Sequence, residues 1–331
     1  MTRTSPFMPL ATPTSKARRD RLVLLGLLVL LVAGLIGAVA ATGWHEVWAQ
    51  IRAISVGQFA ALLALSLVNY LARSLRWHLF ARRLGLDTGL LQDMRHFLGG
   101  FAMSVTPGRV GELVRMRWIR RETGWSFART APLALADRAS DLAAMGLILA
   151  LSLALSAQGI AFGLPVAALA LLGALVVTRP ALLNTLAGWG YRLTGRLGRL
   201  FVGLRRAARS LARFSTPGVM ALAALLGAAG WMAEGYAFHL LLVWMGADIG
   251  LAKATAIFIF SALAGGLTGA PGGVGGAEAA MVALLALEGV PMEVALPATA
   301  IIRVTTLWFA IAIGLMVFAW AEKYSLRQPE R

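Results

Sequence analysis

The chain has 331 residues, 59% of them hydrophobic and 14% charged, with no cysteine and a formal net charge of +16. Soluble globular proteins run at roughly 45–50% apolar and about 25% charged, so a water-shielded core cannot absorb this much apolar surface. A soluble fold is excluded, and the composition predicts an all-α polytopic membrane protein. The missing cysteines rule out a disulfide scaffold, thiolate metal sites and a cysteine nucleophile. Four histidines, spread from His45 to His239, form no metal-ligand pattern.

A segment needs about 20 apolar residues to cross ~30 Å of hydrocarbon. After a basic segment, 1–20, whose first 15 residues are rich in Thr, Ser and Pro and read as disordered, six stretches meet that length: 22–41, 56–75, 131–155, 160–178, 218–245 and 294–321. The first has a basic flank and an Ala38-Val39-Ala40 end like a signal peptide, but its apolar run is too long for one. Trp44, Val47, Trp48, Ile51 and Ile54 share a helical face just beyond it, as in an interfacial helix. Residues 179–216 interleave Leu186, Trp189, Leu193 and Leu197 with arginines and read as a basic amphipathic elbow, followed at the far end by a tail from 323 to 331.

The bases alternate from loop to loop. Lys16, Arg18, Arg19 and Arg21 precede the first span. Arg73, Arg76, Arg82, Arg83 and Arg95 lie at or after the end of the second, the elbow carries eight arginines, and Lys323, Arg327 and Arg331 follow the last. The intervening loops hold only Arg52 and Lys253. Positive residues stay on the cytoplasmic side, so both termini are expected in the cytoplasm, with the chain in the inner membrane of a bacterium. The +16 is then an orientation signal with some attraction to anionic lipid, and no nucleic-acid partner is expected.

Two apolar segments are broken. The first, 96–120, breaks at Thr106, Pro107 and Gly108 and resumes with Arg109, Val110, Gly111 and Glu112; the second, 254–288, breaks at Pro271, Gly272, Gly273, Val274 and Gly275 and resumes toward Glu278. Each arm is too short to cross and fits a re-entrant hairpin. Non-helical backbone at membrane depth needs protein or a water-filled cavity to satisfy it. Pro-Gly-x-Val-Gly occurs in both breaks, and Arg138 and Arg303 follow their prolines by 31 and 32 residues. The spacing predicts an inverted repeat, with halves at about 56–178 and 218–321, of the kind that holds a transport site near the midplane. Each second arm would present its helix N-terminus, with free N–H groups and partial positive charge, to an anion such as phosphate.

Asp137, Arg138, Asp141, Glu234, His239 and Arg303 fall within spans, where a charge costs at least ~2.5 kcal/mol and marks a pathway or a pair. Arg138 and Arg303 are expected to hold a phosphate, with the carboxylates positioning them or taking up protons. Arg109 and Arg115 would stand at the cytoplasmic mouth, either guiding headgroups or simply solvated. His239 reads as a hydrogen-bonding residue of the bundle, and Asn69 as either a helix partner or a cavity lining. Asp137-x-x-x-Asp141 is too sparse in carboxylates for a magnesium diphosphate site, so neither a metal, a cofactor nor a catalytic residue is expected.

Leu75-Arg76-Trp77, Thr106 to Glu112, Asp137-Arg138-x-x-Asp141 and Ala270 to Gly275 with Glu278 occur in this order. Over residues 20–322 the chain thereby resembles the flippase-like membrane domain of bacterial lysylphosphatidylglycerol synthases, including stand-alone members. The resemblance implies translocation of a phospholipid or polyprenyl-linked lipid between leaflets. It does not imply lysyl transfer, since the sequence runs only nine residues past Glu322. The expected activity is flipping or scrambling of a phosphate-bearing lipid. The alternatives are a lipid-modifying membrane enzyme and a non-catalytic partner of a lipid glycosyltransferase; homo-oligomerisation stays open.

The charge pattern places residues 121–130 and 179–216 in the cytoplasm and 246–252 and 289–293 outside. Single cysteines introduced into this cysteine-free chain should follow that pattern with an impermeant maleimide. Labelling of 246–252 only from the cytoplasmic side would defeat the inverted arrangement.

Overall fold

The computed structural model describes residues 44–104, 110–156, 162–179 and 216–327, with 160, 181, 182, 185, 188, 189, 192 and 214. The expected first span, the basic N-terminus, most of the elbow and the first break at Thr106, Pro107, Gly108 and Arg109 lie outside these residues. Every regular element among the described residues is helical. They are α1 (Trp44–Ala53), α2 (Val56–Leu84), α3 (Leu90–Gly99), α4 (Val110–Thr123), α5 (Phe127–Leu155), α6 (Gly163–Thr178), α7 (Pro217–Trp244), α8 (Leu251–Leu267), α9 (Gly276–Leu287), α10 (Met292–Arg303) and α11 (Phe309–Arg327). Short 3₁₀ turns follow α3 (Gly100–Met103) and α8 (Pro271–Gly273), and a π turn, Val304–Trp308, joins α10 to α11.

Four helices are long and apolar enough to span a bilayer: Val56–Leu84, Phe127–Leu155, Pro217–Trp244 and Met292–Leu326. Large apolar side chains such as Leu155, Leu225 and Met316 lie on the outer surface, as lipid contact requires. The expected span at 160–178 is shorter: α6 has 16 residues, about 24 Å at 1.5 Å per residue, and lies against α5. Local signals set the ends of α2. Ser55 and Gln58 form a reciprocal capping box at its start, and Gly85 closes it in the left-handed conformation, φ 92°.

That extent corrects the expected end of the second span at residue 75. The helix continues for nine residues, because Arg73 and Arg76 face neighbouring helices instead of water. Arg76 is fully buried. Small residues let α7 approach it closely: a Cβ on Gly227 would lie 3.0 Å from Arg76 Nη1, and one on Gly230 3.3 Å from Asn69.

Both broken segments fold back on themselves. In the first, a Cβ on Gly111 would sit 2.4 Å from the Gly100 carbonyl oxygen; in the second, one on Gly273 would sit 3.0 Å from Gly265. Gly272 (φ 62°) and Gly275 (φ 90°) take left-handed conformations at the second turn, which a side chain would strain. The second turn meets the end of the first arm: the Cβ position of Gly272 is 3.6 Å from the Ser104 carbonyl oxygen. The helix from Met292 to Arg327 passes both. A Cβ on Gly314 would fall 2.3 Å from Ala102 N, so this helix runs backbone to backbone against the first turn.

Gly314→Leu should therefore lower the detergent melting temperature, as overpacking of about 1–3 kcal/mol does. An unchanged melting temperature would show that the α11 contact is not tight.

Candidate functional site

Between the two turns the long helices bring together the charges that the apolar pattern leaves unexplained. Asp141 of α5 is the hub. Its Oδ1 accepts from Arg76 Nη2 (2.6 Å) and Trp231 Nε1 (3.2 Å), and its Oδ2 from Arg73 Nη2 (2.7 Å). Arg138 Nη1 lies 3.6 Å from the same Oδ2. Asp137 receives Arg76 through Nε (3.2 Å) and Nη2 (2.7 Å). The α5 spacing puts both aspartates on one face, one turn apart, and α2 supplies two arginines three residues apart to meet them.

This overturns one expectation: Arg73 and Arg76 are not solvated topology markers but the main partners of the acidic pair. Both carboxylates of Asp-x-x-x-Asp are occupied by guanidinium groups, and no cluster of three metal-ligating side chains occurs among the described residues. Arg115 is corrected too. It is 3% exposed, far from a solvated mouth, and its guanidinium stacks 4.2 Å from the Phe97 ring centre, with Trp77 at 5.3 Å.

The two turns repeat one device. In the first half Arg138 Nε donates to Glu112 Oε1, from the first turn of α4. In the second, Arg303 Nε donates to Glu278 Oε1 at 2.5 Å, from the first turn of α9. Arg303 Nη2 also holds the Gly272 carbonyl (2.8 Å), and the Gly275 N–H donates to Glu278 Oε2 (2.7 Å). Each second arm thus starts with its own carboxylate, so the positive end of α9 is already partly met. Glu234 on α7 has Arg73, Asp141 and Arg303 within electrostatic reach and so faces both halves. The π turn beside Arg303 frees a carbonyl: Tyr70 Oη donates to Thr306 O. Irregular turns of this kind concentrate at functional positions.

Asn69 is fully buried and neither of its amide atoms has a partner, and His239 Nδ1 is buried without a hydrogen bond, 4.0 Å from Asp248. A second charged cluster, at the end of the bundle carrying Arg82 and Arg83, is invisible in the sequence pattern. Glu122 accepts from Arg95 Nη2 (2.8 and 2.9 Å), Gln92 Nε2 (2.5 Å) and His96 Nε2 (3.1 Å). Glu322 ties α11 to α4 through Arg117 (2.5 Å), Trp118 (2.7 Å) and Arg121 (2.7 Å). These partners are some 200 residues apart, a separation that no local spacing reports.

Four spanning helices around a buried arginine–carboxylate network and two broken hairpins define a multi-pass membrane protein with an internal polar site. Residues 22–314 match the model of the lysylphosphatidylglycerol synthase TM region, and the chain belongs to that family. A stretch of 106 residues is 29% identical to a UPF0104 membrane protein of Methanothermobacter thermautotrophicus. That match covers 32% of this chain and 31% of the relative's length.

Two stability predictions follow from the pairings. Asp141→Asn leaves Arg73, Arg76 and Arg138 short of a buried counter-charge, a loss of roughly 3–5 kcal/mol; its melting temperature should fall well below that of an exposed control such as Asp87→Asn. At Glu122, burial pushes the carboxyl up, but His96, Arg95 and Gln92 together bring it below its ordinary value. A depressed folded pKa stabilises above the unfolded value, about 4.3, and the gain is lost as pH falls through the folded value. Melting temperature should hold above about pH 5 and drop below it, and Glu122→Gln should lower the plateau and flatten the drop.

Proposed function

We propose that this protein translocates a phosphate-bearing membrane lipid between leaflets, its headgroup passing through the polar site while the acyl chains stay in the bilayer. The observation that carries this reading is the Arg–Glu pair that each hairpin makes through the same atoms, with Gly272 of the second against Ser104 of the first. Inverted halves that each carry an equivalent arginine beside a broken turn are the arrangement that alternating access uses. In this reading the basic end faces the cytoplasm, the halves are inverted repeats, and the broken stretch Pro271 to Gly275 lines the passage.

The chemistry is a partner exchange. Arg138 and Arg303 each donate Nε to a carboxylate. An arriving phosphate, tetrahedral but with two oxygens that match the guanidinium fork, competes for the same nitrogens. Arginine leaves Glu112 or Glu278 for the phosphate and returns afterwards, so the site is never without a counter-charge. Asp141 and Asp137 hold Arg73 and Arg76 throughout and keep the surrounding potential fixed. The family is described by a synthase, so a lipid-modifying reaction is the alternative. A chemical change in lipid exposed to the pure protein would establish it.

The test is a dithionite-quench assay with fluorescent phospholipid in proteoliposomes, run beside detergent melting curves. Arg138→Ala and Arg303→Ala should slow exchange by about one to two orders of magnitude, since charge-assisted hydrogen bonds of ~1.5–3 kcal/mol are lost; Lys should rescue only in part. The double variant Arg303→Ala/Glu278→Ala removes both charges and should regain melting temperature without regaining exchange. Normal exchange in both single variants would remove these arginines from the mechanism. Recovery of exchange in the double variant would return them to structure.

A further inference from the structure

Among the described residues, pairing off the buried charges leaves two over. Arg73 and Arg76 are held by Asp141 and Asp137, Arg138 by Glu112 and Arg303 by Glu278. Arg115, 3% exposed, makes no hydrogen bond or ion pair among the described residues: its Nε and Nη1 are buried without an acceptor. The rings of Phe97, Trp77 and Phe101 meet the guanidinium within 6 Å of their centres, but ring faces satisfy its charge and not its in-plane donors. The fit is specific, because a Cβ on Gly100 would lie 2.2 Å from Arg115 Nε. Glu234, 5% exposed, makes no hydrogen bond or ion pair among the described residues. The two do not satisfy each other either. Arg115 has Asp137, Arg138, Glu112 and Arg73 in electrostatic reach, Glu234 has Arg73, Arg303 and Asp141, and neither has the other.

Resting on the translocation reading above, we infer that the lipid carried is zwitterionic, its phosphate received at Arg115 before it passes to Arg138 and Arg303, and its terminal ammonium received at Glu234. The placement fits such a headgroup. Arg115 lies at the level of Trp77 on α2, and Glu234 near Tyr70 and Arg73. Trp77, beside Arg115, and Tyr70, beside Glu234, stand seven residues apart on α2, roughly 10 Å at 1.5 Å per residue, so the two groups neighbour different levels of that helix. Glu234 is the deeper of the two, measured from the basic end of the bundle. A phospholipid whose head enters from that end leads with its terminal amine and trails its phosphate, the order in which the two charges stand. A headgroup with phosphate alone leaves Glu234 a buried carboxylate without a partner, and a purely cationic one leaves Arg115 open.

The experiment uses the full chain with phosphatidylethanolamine and phosphatidylglycerol as probes. Native mass spectrometry in an equimolar mixture of the two should show about tenfold more ethanolamine lipid retained, the share of one charge-assisted hydrogen bond. Glu234→Gln should bring that ratio close to one, and Arg115→Gln should weaken retention of both lipids. Equal retention by the unaltered protein, or a ratio unmoved by Glu234→Gln at a normal melting temperature, would overturn the assignment. Soluble phosphoethanolamine carries the same two charges; binding as tight as that of the lipid would overturn the lipid in favour of a free solute. Exchange in proteoliposomes separates the two readings. Transport without preference sinks the zwitterion and spares translocation, whereas preferential retention with no exchange of any lipid sinks translocation and spares the zwitterion.

Discussion

The structure depends on a carboxylate that cannot be left alone. Asp141 stands in a spanning helix, almost sealed from solvent, with three arginines around it. In a medium where each unpaired charge costs several kcal/mol, such a group dictates its surroundings. It draws α2 and α7 against α5, through Arg73, Arg76 and Trp231. It explains why α2 carries two arginines inside a membrane-length helix, and why α7 presents glycines where those side chains must fit. Hydrophobic packing alone would not fix the rotation of these helices, since lipid tails are as apolar as leucine. The ion pairs do.

The same logic runs through the hairpins. A turn at membrane depth has backbone groups to satisfy, and here an arginine from the next span serves the Gly272 carbonyl while a first-turn glutamate serves the Gly275 N–H. Arginine and glutamate then satisfy each other. Structural need and proposed function coincide in this triad: the groups that make the break tolerable are those an incoming phosphate would engage.

Much of this was legible in the sequence, for a reason that can be stated. Apolar runs report lipid exposure directly, so α2, α5, α7 and the last helix stand out, and the Pro-Gly-x-Val-Gly motif marks the second turn because Gly272, Gly273 and Gly275 take positive φ there. Charges inside spans announce themselves as well, which is how Asp137, Asp141, Glu234 and Arg303 were found. What failed was the sorting of basic residues near a helix end. Arg73, Arg76 and Arg115 look like the solvated bases of a cytoplasmic flank, and only the partner helices, tens of residues away, decide otherwise. The Glu122 and Glu322 clusters failed for the same reason, since their partners converge from α3, α4 and α11. Sequence spacing sees neighbours on one helix and is blind to neighbours on another.

The long helix from Met292 to Arg327 grips both hairpins, the second through Arg303 and the first through Gly314 and Glu322. Were it a rigid rod, it would weld them into one body. The π turn at Val304–Trp308 lies between these two grips, whereas Pro297 lies before both. An extra residue in a helical turn is a wide, weakly bonded link, and its spare carbonyl at Thr306 already leans on the hydroxyl of Tyr70. The span therefore has its irregular turn between the two grips, braced there by the Tyr70 hydroxyl.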